Sequence, residues 1–518
     1  MPIDCRLMGV DIGAQSIRIC VFDGSGCVLG SFQRSLDIDR PHHGWAEADP
    51  ETWWHAFIEG VGHAVEQARI SPQDISAIGI SNMCPSLIAM DDQGRALRPA
   101  ILYQDKRSLD QVAHIKKTLS PQRTFEITGN RLAAGTYSAS SMRWIKDQEP
   151  ELYSRTNYFG HANSFLAVKL TGNTSFDPTN ASFTGIFETG ALVSNPMDAH
   201  GRWSSELADA WEIDIAKLSP VIDSWSPIGG ISKQAAQITG LKQKVPVAIG
   251  AADTACSALA AGVITPGQGF NTSGSSDVLA VCIENPNFDN RFMNRCHAAP
   301  NRWLAMGALL SAGAAMGWLQ KKILVTENYD ALNQAAQQVD PGTNHVIFLP
   351  YMQGERSPIW DPNARGVFFG LSLESTKGHL VRAMMEGTAY ALRQNLEIAT
   401  QHLGFPVNEI YLGGGGARSD LWCQIKADIL NRPLIRLDKE ETAVLGAAML
   451  GGIAAGFYRD HDEAVKAAAA SPTHTFMPQP EIHRKYEKGY EIFCNLYPQL
   501  KISFDALAAG DQGPSLKS

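Results

Sequence analysis

A strand–turn–strand unit occurs twice in this chain, and each copy turns on glycine. Near the N-terminus LMGVDIG forms a β-branched run, IRICVFD a second, and Gly24-Ser25-Gly26 turns into CVLGSF. This pattern predicts a β-meander whose first turn carries Asp11 and Gly13. A helix follows, with Asp49 as its cap, Pro50 at its first position and apolar spacing through Trp54, Phe57, Ile58, Val61 and Val65. A buried strand is then expected over Ser76–Met83. The second half repeats the plan: a strand over Val245–Gly250, a helix at Asp253, and a strand–turn–strand over Gly269–Val281. It continues with a strand near Trp303, helices from Ser311 and His379, and a strand ending in Tyr411-Leu-Gly-Gly-Gly-Gly416 before a helix over Ala417–Ile429. No short-period repeat occurs, so the duplication predicts two similar α/β domains facing each other across a cleft, not a solenoid. At 518 residues the chain exceeds what one core supports, and the division falls near Lys244, giving 1–246 and 247–518.

The remaining segments read more plainly. Asn173–Trp203 is rich in Asn, Thr, Ser, Gly and Pro and predicts loops with short strands. After KAAAAS comes a proline-punctuated linker, then an amphipathic C-terminal helix with Tyr486, Tyr490, Ile492, Phe493 and Leu496 on its apolar side, fraying beyond about Ala508. Trp303–Leu319 is uncharged, but its three glycines and short length fit a buried strand and helix better than a membrane span.

Charge and cysteine content narrow the function. The net charge of −9, with no basic run, argues against a nucleic-acid or membrane-surface partner and favours a small molecule. Nine scattered cysteines without a CxxC pair or a Cys/His cluster read as reduced cytosolic thiols. The N-terminus lacks a basic region followed by an apolar core, so a cytoplasmic protein is expected.

The turns suggest phosphoryl transfer. ATP-type phosphates need backbone N–H groups at close range, which glycine permits, with a carboxylate near enough to hold Mg²⁺ directly or through water. Asp11-Ile12-Gly13 offers one such turn, Gly274-Ser275-Ser276 a second and Gly413–Gly416 a third. Four consecutive glycines cost about 1 kcal/mol each in regular structure, an expense that favours close ligand approach. Asp253, at the mouth of a small-residue helix, is open to two readings: a helix N-cap or a reacting carboxylate. Neither a Walker-A pattern nor a protein-kinase signature set is present, and the Gly413 turn is not an early dinucleotide-binding fingerprint.

Along nearly its whole length the chain resembles the FGGY carbohydrate kinases, most closely the xylulokinases. The resemblance rests on VDIGAQSIRICVFD, GWAEADPETWW, IGAADTACSALAAGV and LGGGGARSDLWCQIKADIL, and on the segment from Gly366 to Glu386. It implies an α/β fold of two actin-like, ribonuclease-H-like domains, with the sugar on the N-terminal side and ATP on the C-terminal side. Asp253 then matches the catalytic base, Asp11 the Mg²⁺-associated carboxylate, and Gly13, Gly274, Ser275 and Gly313 the phosphate-side positions. Gly415, Gly416 and Ser419 match the adenosine contacts, and Met83, Cys84, Tyr103, Asp253 and Thr254 the sugar pocket. The implied partners are ATP, Mg²⁺ and a small sugar, most simply a ketopentose such as D-xylulose, and a homodimer is compatible with this.

Departures from the family pattern concentrate on ligand-facing positions. Xylulokinases carry Gln-Met-His-Gly where this chain has Asn82-Met83-Cys84-Pro85, a Trp at Tyr103 and an Asn at Thr254. The usual Thr is Ala14, and Gly-Thr-Ser-Gly has become Gly274-Ser275-Ser276-Asp277. Ala14 and Ser275 favour an alternative, a catalytically weakened sugar- or nucleotide-sensing protein on the same fold, whereas Asp11 and Asp253 favour an enzyme. A protein-directed actin-like ATPase is a third reading, opposed by the match in the substrate-side segments.

Overall fold

The computed structural model describes residues 5–190 and 202–510, apart from 327, 343–345, 403, 406 and 440. Two large sheets carry the architecture. The first contains β1 (Arg6–Ile12), β2 (Ser16–Asp23), β3 (Val28–Ser35), β4 (Ala77–Asn82), β5 (Pro227–Gly230) and β6 (Pro246–Ala252) in the order β3-β2-β1-β4-β6-β5. The second contains β7 (Gln268–Ser273), β8 (Asp277–Ile283), β9 (Met293–Cys296), β10 (Trp303–Leu309), β11 (Glu409–Gly413), β12 (Leu434–Leu437) and β13 (Pro472–Phe476) in the order β9-β10-β8-β7-β11-β12-β13. In both, an antiparallel trio continues into two parallel strands: β3-β2-β1 then β4 and β6, β10-β8-β7 then β11 and β12. The duplicated plan is therefore present in the trio and parallel pair of each sheet, but β6, which the sequence places at the start of the second copy, belongs to the first sheet, and β9 is extra in the second; the fold is the two-domain actin-like, ribonuclease-H-like one.

The helices follow from local sequence. Asp49 caps α1 (Pro50–Gln67), its side chain accepting the Glu51 N–H, with Pro50 at the first position as expected. Between the sheets lie α2 (Asp253–Ala260) and α5 (Thr442–Ala454), while α3 (Lys377–Glu397), α4 (Asp420–Leu430) and α6 (Pro480–Gly510) belong to the C-terminal half. Along β1 the side chains alternate: Met8, Val10 and Ile12 enter the core shared with α1, whereas Leu7 faces the core between the sheets. On that second face α5 approaches so closely that a Cβ on Gly9 would stand 2.0 Å from the Val444 carbonyl oxygen, and one on Gly79 1.8 Å from that of Ala447. A Cβ on Gly446 would likewise meet the Cys256 carbonyl oxygen of α2 at 2.0 Å. Backbone thus packs on backbone from β1 and β4 through α5 to α2.

Several elements differ from the sequence reading. Asn173–Trp203 contains a one-turn helix, Pro178–Ala181, and among its described residues extended pairing is limited to isolated bridges such as Phe187 with Trp203. Residues 191–201 lie outside the described residues. The Pro-punctuated linker holds β13, an edge strand paired antiparallel with β12, because the prolines fall at strand ends where no ladder N–H is needed. The Gly-rich turn passes through a 3₁₀ turn, Gly415–Arg418, before α4 begins at Asp420. Helix α6 runs to Gly510, and 511–518, where fraying is expected, are outside the described residues. Trp303–Leu319 is a buried strand, a loop and a short helix, and among the described residues no helix is long and apolar enough to cross a membrane.

Two glycine substitutions test this packing. Gly79→Ala should lower stability by about 1–3 kcal/mol through overpacking against α5. Gly62→Ala, in the interior of α1 with open space around the new methyl, should raise it by about 1 kcal/mol. Denaturant unfolding of both variants against the parent measures the contrast.

Candidate active site

The row of β1 that faces α5 ends at Asp11, and the matching row of β4 ends at Ser81. Asp11 pairs with Ser81 in the parallel register, and the buried Ser81 hydroxyl donates to Asp11 Oδ1 at 2.8 Å. Arg18, opposite Asp11 on β2, holds Nη1 3.9 Å from Oδ2 while its Nε pairs with Glu441 at the head of α5 at 3.1 Å. Asp11 is 7% exposed. Burial, and next the charge of Asp253, push its carboxyl up to about 6 against the relief from Ser81 and Arg18.

Asp253 reaches the same place from β6. Between Ala248 and Ala251 the β4–β6 register shifts, and within the shift Gly250 takes a φ of +77°. A Cβ there would meet the Ile80 carbonyl oxygen at 1.6 Å, so only glycine fits. The N-cap of α2 is Ala252, whose N–H donates to Thr179 Oγ1 at 2.7 Å, and Asp253 is the first helical residue. The N-cap reading is thereby excluded. Its Oδ1 accepts the Thr254 N–H at 2.6 Å and the Thr254 hydroxyl at 3.2 Å, which leaves Oδ2 with no hydrogen bond from any described residue. Burial raises its carboxyl above the ordinary range.

A polar network floors this site. Asn180 Oδ1 accepts from Cys84 Sγ at 2.7 Å, from Asn82 Nδ2 at 3.1 Å and from His161 Nδ1 at 2.9 Å. His161 Nε2 takes the Ser138 hydroxyl at 3.1 Å, and burial lowers the imidazole to about 4, so it is neutral with its proton on Nδ1. Asn180 Nδ2 donates to Asp177 Oδ2 at 2.6 Å and to Asn82 Oδ1 at 3.1 Å. Cys84 is held as a thiol, since burial and the Asp253 and Asp177 charges drive its pKa well above the ordinary value. Asn180, Asp177 and His161 are not legible in sequence: the first two lie in a stretch that reads as polar loop, His161 is a lone histidine at a helix start, and nothing in their spacing separates a network from a turn.

The second hairpin forms a separate cluster. Gly274 donates its N–H to Ser276 O at 2.8 Å, and the 311–314 turn folds onto it. Gly313 N–H reaches Gly274 O at 3.1 Å, and the Ala312 and Ala314 N–H groups reach Ser275 O, each at 3.0 Å. A Cβ on Gly313 would come within 2.3 Å of Gly274 O. Gly414, at φ +79°, and Gly416 lie against Ser273, while Gly415 faces open space. Beneath the hairpin, buried Lys426 bonds Asp277 Oδ2 at 2.7 Å, Ser273 Oγ at 2.9 Å and Asn271 Oδ1 at 3.1 Å. Ser419 caps α4 through the Trp422 N–H and donates to Asn333 Oδ1 at 3.1 Å, so its hydroxyl is already engaged within the protein.

The structure thus brings Asp11, Asp253, Thr254 and Cys84 together, and separately Gly274, Ser275, Gly313, Gly415 and Gly416. Met83 contributes a buried side chain and a main-chain N–H to Ile12 O at 2.8 Å. Gly13 closes the β1–β2 turn with its N–H on Ser16 O at 2.9 Å. Tyr103 stands half-buried, its hydroxyl accepting from Gln104 Nε2 at 3.1 Å. All nine cysteines are free thiols. His297 is a structural histidine, Nε2 donating to Val263 O at 2.7 Å and Nδ1 accepting the Ala299 N–H at 3.2 Å.

Models of the FGGY family of carbohydrate kinases match residues 6–260 with the N-terminal domain and 269–455 with the C-terminal domain. The chain belongs to this family. It is 30% identical over 499 residues to the xylulose kinase of Staphylococcus epidermidis, covering 96% of this chain and 97% of that one. It is 27% identical over 513 residues to the gluconokinase of Bacillus licheniformis, covering 97% of each. The crystal structure of xylulose kinase from Rhodospirillum rubrum superposes with a TM-score of 0.88 at 28% identity, covering 96% of this chain and 100% of that one. As an FGGY member the protein is an ATP-dependent sugar kinase, and its relatives divide over the sugar.

The acidic pair carries a stability signature. Because the folded carboxyl of Asp11 titrates near 6 and an unfolded one near 4, the native state binds more protons in that window. Its stability therefore falls as pH rises from about 4 to about 6, by up to about 3 kcal/mol for this group. Asp11→Asn should accordingly melt higher than the parent at pH 7.5 in chelator-containing buffer and lose that advantage at pH 4. Lys426→Ala, which strands the buried Asp277 carboxylate, should cost about 3–5 kcal/mol in denaturant unfolding.

Proposed function

We propose that the protein transfers the γ-phosphate of ATP to a hydroxyl of a small ketopentose-like sugar or polyol, with Asp253 as general base. The observation that carries this reading is the convergence of two desolvated carboxylates, Asp253 and Asp11, at the C-terminal ends of parallel strands. Asp253 has one oxygen engaged by Thr254 and the other free to accept a proton from the attacking hydroxyl. Its raised pKa brings it closer to a base that captures a proton at neutral pH.

Mg²⁺ fits the donor set. Asp11 and Asp253 are hard oxygen donors whose mutual repulsion a cation relieves, and no group of three or more His, Cys, Asp or Glu side chains among the described residues forms a closed cage. An ion that keeps its waters and phosphate oxygens needs no more than one or two carboxylates. When bound, Mg²⁺ neutralises charge on the transferring phosphoryl group. Asp11 would hold it, directly or through water, with Ser81 orienting the carboxylate. The Gly274–Ser276 turn, braced by Lys426 and Asp277, offers backbone N–H groups to the phosphates, and Gly415 leaves room for the nucleoside. A cytoplasmic location agrees with the free thiols.

The acceptor pocket is not that of a standard xylulokinase. Cys84 already donates its thiol proton to Asn180, and Pro85 has no N–H, so the pair lacks both the imidazole donor and the glycine N–H of a His–Gly pair. D-Xylulose is therefore expected to be a poorer acceptor than another ketose or polyol.

Coupled ADP release across ketoses, aldoses and polyols with ATP and Mg²⁺ tests both statements. Asp253→Asn should lower kcat by roughly 10²–10⁴-fold while equilibrium ATP binding persists; a variant that still phosphorylates sugar would remove Asp253 as the base. D-Xylulose turnover equal to the best acceptor would overturn the specificity reading.

A further inference from the structure

The backbone that delivers Asp253 is clamped from outside its own sheet ladder. Where the β4–β6 register shifts, the Ile249 carbonyl accepts from Asn163 Nδ2 at 3.3 Å and the Gly250 N–H donates to Ser224 O at 3.0 Å. The Ala252 N–H, at the N-cap of α2, donates to Thr179 Oγ1 at 2.7 Å. Three residues from separate segments thus hold the main chain at Ile249, Gly250 and Ala252, immediately before Asp253. The Asp253 side chain itself is bonded, among the described residues, by Thr254 alone, its neighbour in the same helical turn. Its aim is therefore inherited from this backbone.

One carboxylate gathers all three clamps. Asp177 is fully buried, and its Oδ1 accepts the Thr179 hydroxyl at 2.5 Å, the Thr179 N–H at 2.9 Å, the Asn180 N–H at 3.2 Å and the Ser224 hydroxyl at 3.5 Å. Its Oδ2 accepts from Asn180 Nδ2 at 2.6 Å and Asn163 Nδ2 at 2.9 Å. Every one of these groups is a neutral donor. A carboxylate presents acceptors on both oxygens, whereas an amide of the same shape would turn two of its own protons toward two more donors. The Thr179 hydroxyl has one proton and gives it to Asp177, so its oxygen is left to accept the Ala252 N–H. The order of the relay, carboxylate to hydroxyl to N–H, is fixed by that count.

We propose that Asp177 is a positioning residue for phosphoryl transfer: through Thr179, Asn163 and Ser224 it fixes the β6 irregularity and the start of α2, so that Asp253 Oδ2 is aimed at the acceptor hydroxyl. This rests on the reading of Asp253 as the base. A displacement of about 1 Å at a reacting group costs on the order of 10²-fold in rate. A purely structural anchor would instead lower stability and leave turnover per folded molecule unchanged.

Thr179→Val keeps the shape and removes the hydroxyl, and Thr179→Ser restores it. Turnover is read by coupled ADP release with ATP, Mg²⁺ and the best-used member of a ketose and polyol panel. Thr179→Val should lower kcat by about 10–100-fold with both KM values within about threefold of the parent, and Thr179→Ser should recover kcat to within about threefold. Asp177→Asn should lose at least as much as Thr179→Val; where it does not fold, the Thr179 pair carries the test. Thr156→Val, which removes a buried hydroxyl bonded to Leu152 O at 2.9 Å, is the control for lost stability. Thermal melts should fall in both valine variants, whereas amide hydrogen exchange over residues 249–256 should quicken in Thr179→Val alone. Added to Asp253→Asn, Thr179→Val should cost no further rate, because the two act as one unit. Parental kcat in Thr179→Val, a loss no larger than that of Thr156→Val, or losses that add in the double variant overturns the positioning role and leaves Asp253 as the base. Sugar phosphorylation retained in Asp253→Asn alone removes the base, and this proposal with it.

Discussion

Backbone packed directly on backbone, where Gly9, Gly79 and Gly446 let α5 settle onto β1, β4 and α2, is the contact from which the rest of the geometry follows. A helix that begins in the C-terminal half lies on the sheet of the N-terminal half, so the two halves share one core and are not merely tethered. Each of these contacts excludes even a methyl group. The same row of β1 that makes room for the helix at Gly9 ends two residues later in Asp11, and the matching row of β4 passes from Gly79 to Ser81. Strand periodicity therefore links the packing to the chemistry: the face that accepts α5 is the face that presents the carboxylate.

Electrostatics then assigns different tasks to similar residues. Asp11 and Asp253 are close enough to raise one pKa through the other's charge, an arrangement that folding alone does not favour and a cation relieves. Asp277 is as deeply buried but meets Lys426 at 2.7 Å, so its charge fixes a hairpin instead of awaiting a ligand. Asp177 serves neither purpose: ringed by donors from Thr179, Asn180 and Asn163, it anchors the loop that ties down the first turn of α2 through Thr179. Arg295 inverts the pattern as a buried cation with spare donors.

Much of this was legible in the chain. Alternating β-branched runs, glycine turns and the Asp49-Pro50 helix start are local signals, and the structure places β1, β2, α1, β4, β6, β7, β8, β10 and β11 where they point. What was not legible is non-local. Strand β13 hides in a proline-marked linker because an edge strand needs only one partner, supplied by β12. Asn180 looks like any polar loop residue until Asn82 and Cys84, about a hundred positions earlier, arrive beside it.

The amino-acid sequence by itself determined the family, the doubled sheet plan and the order of the glycine turns, because each depends on short-range periodicity and backbone freedom. Only the tertiary structure decided that Asp253 is not an N-cap, that Ser419 is spent on capping α4, and that Cys84 donates inward to Asn180. It also decided that Arg295 is buried with no ion pair to any described residue. Burial and partnership are properties of chain segments far apart in sequence, and they set which polar groups remain free to meet a ligand.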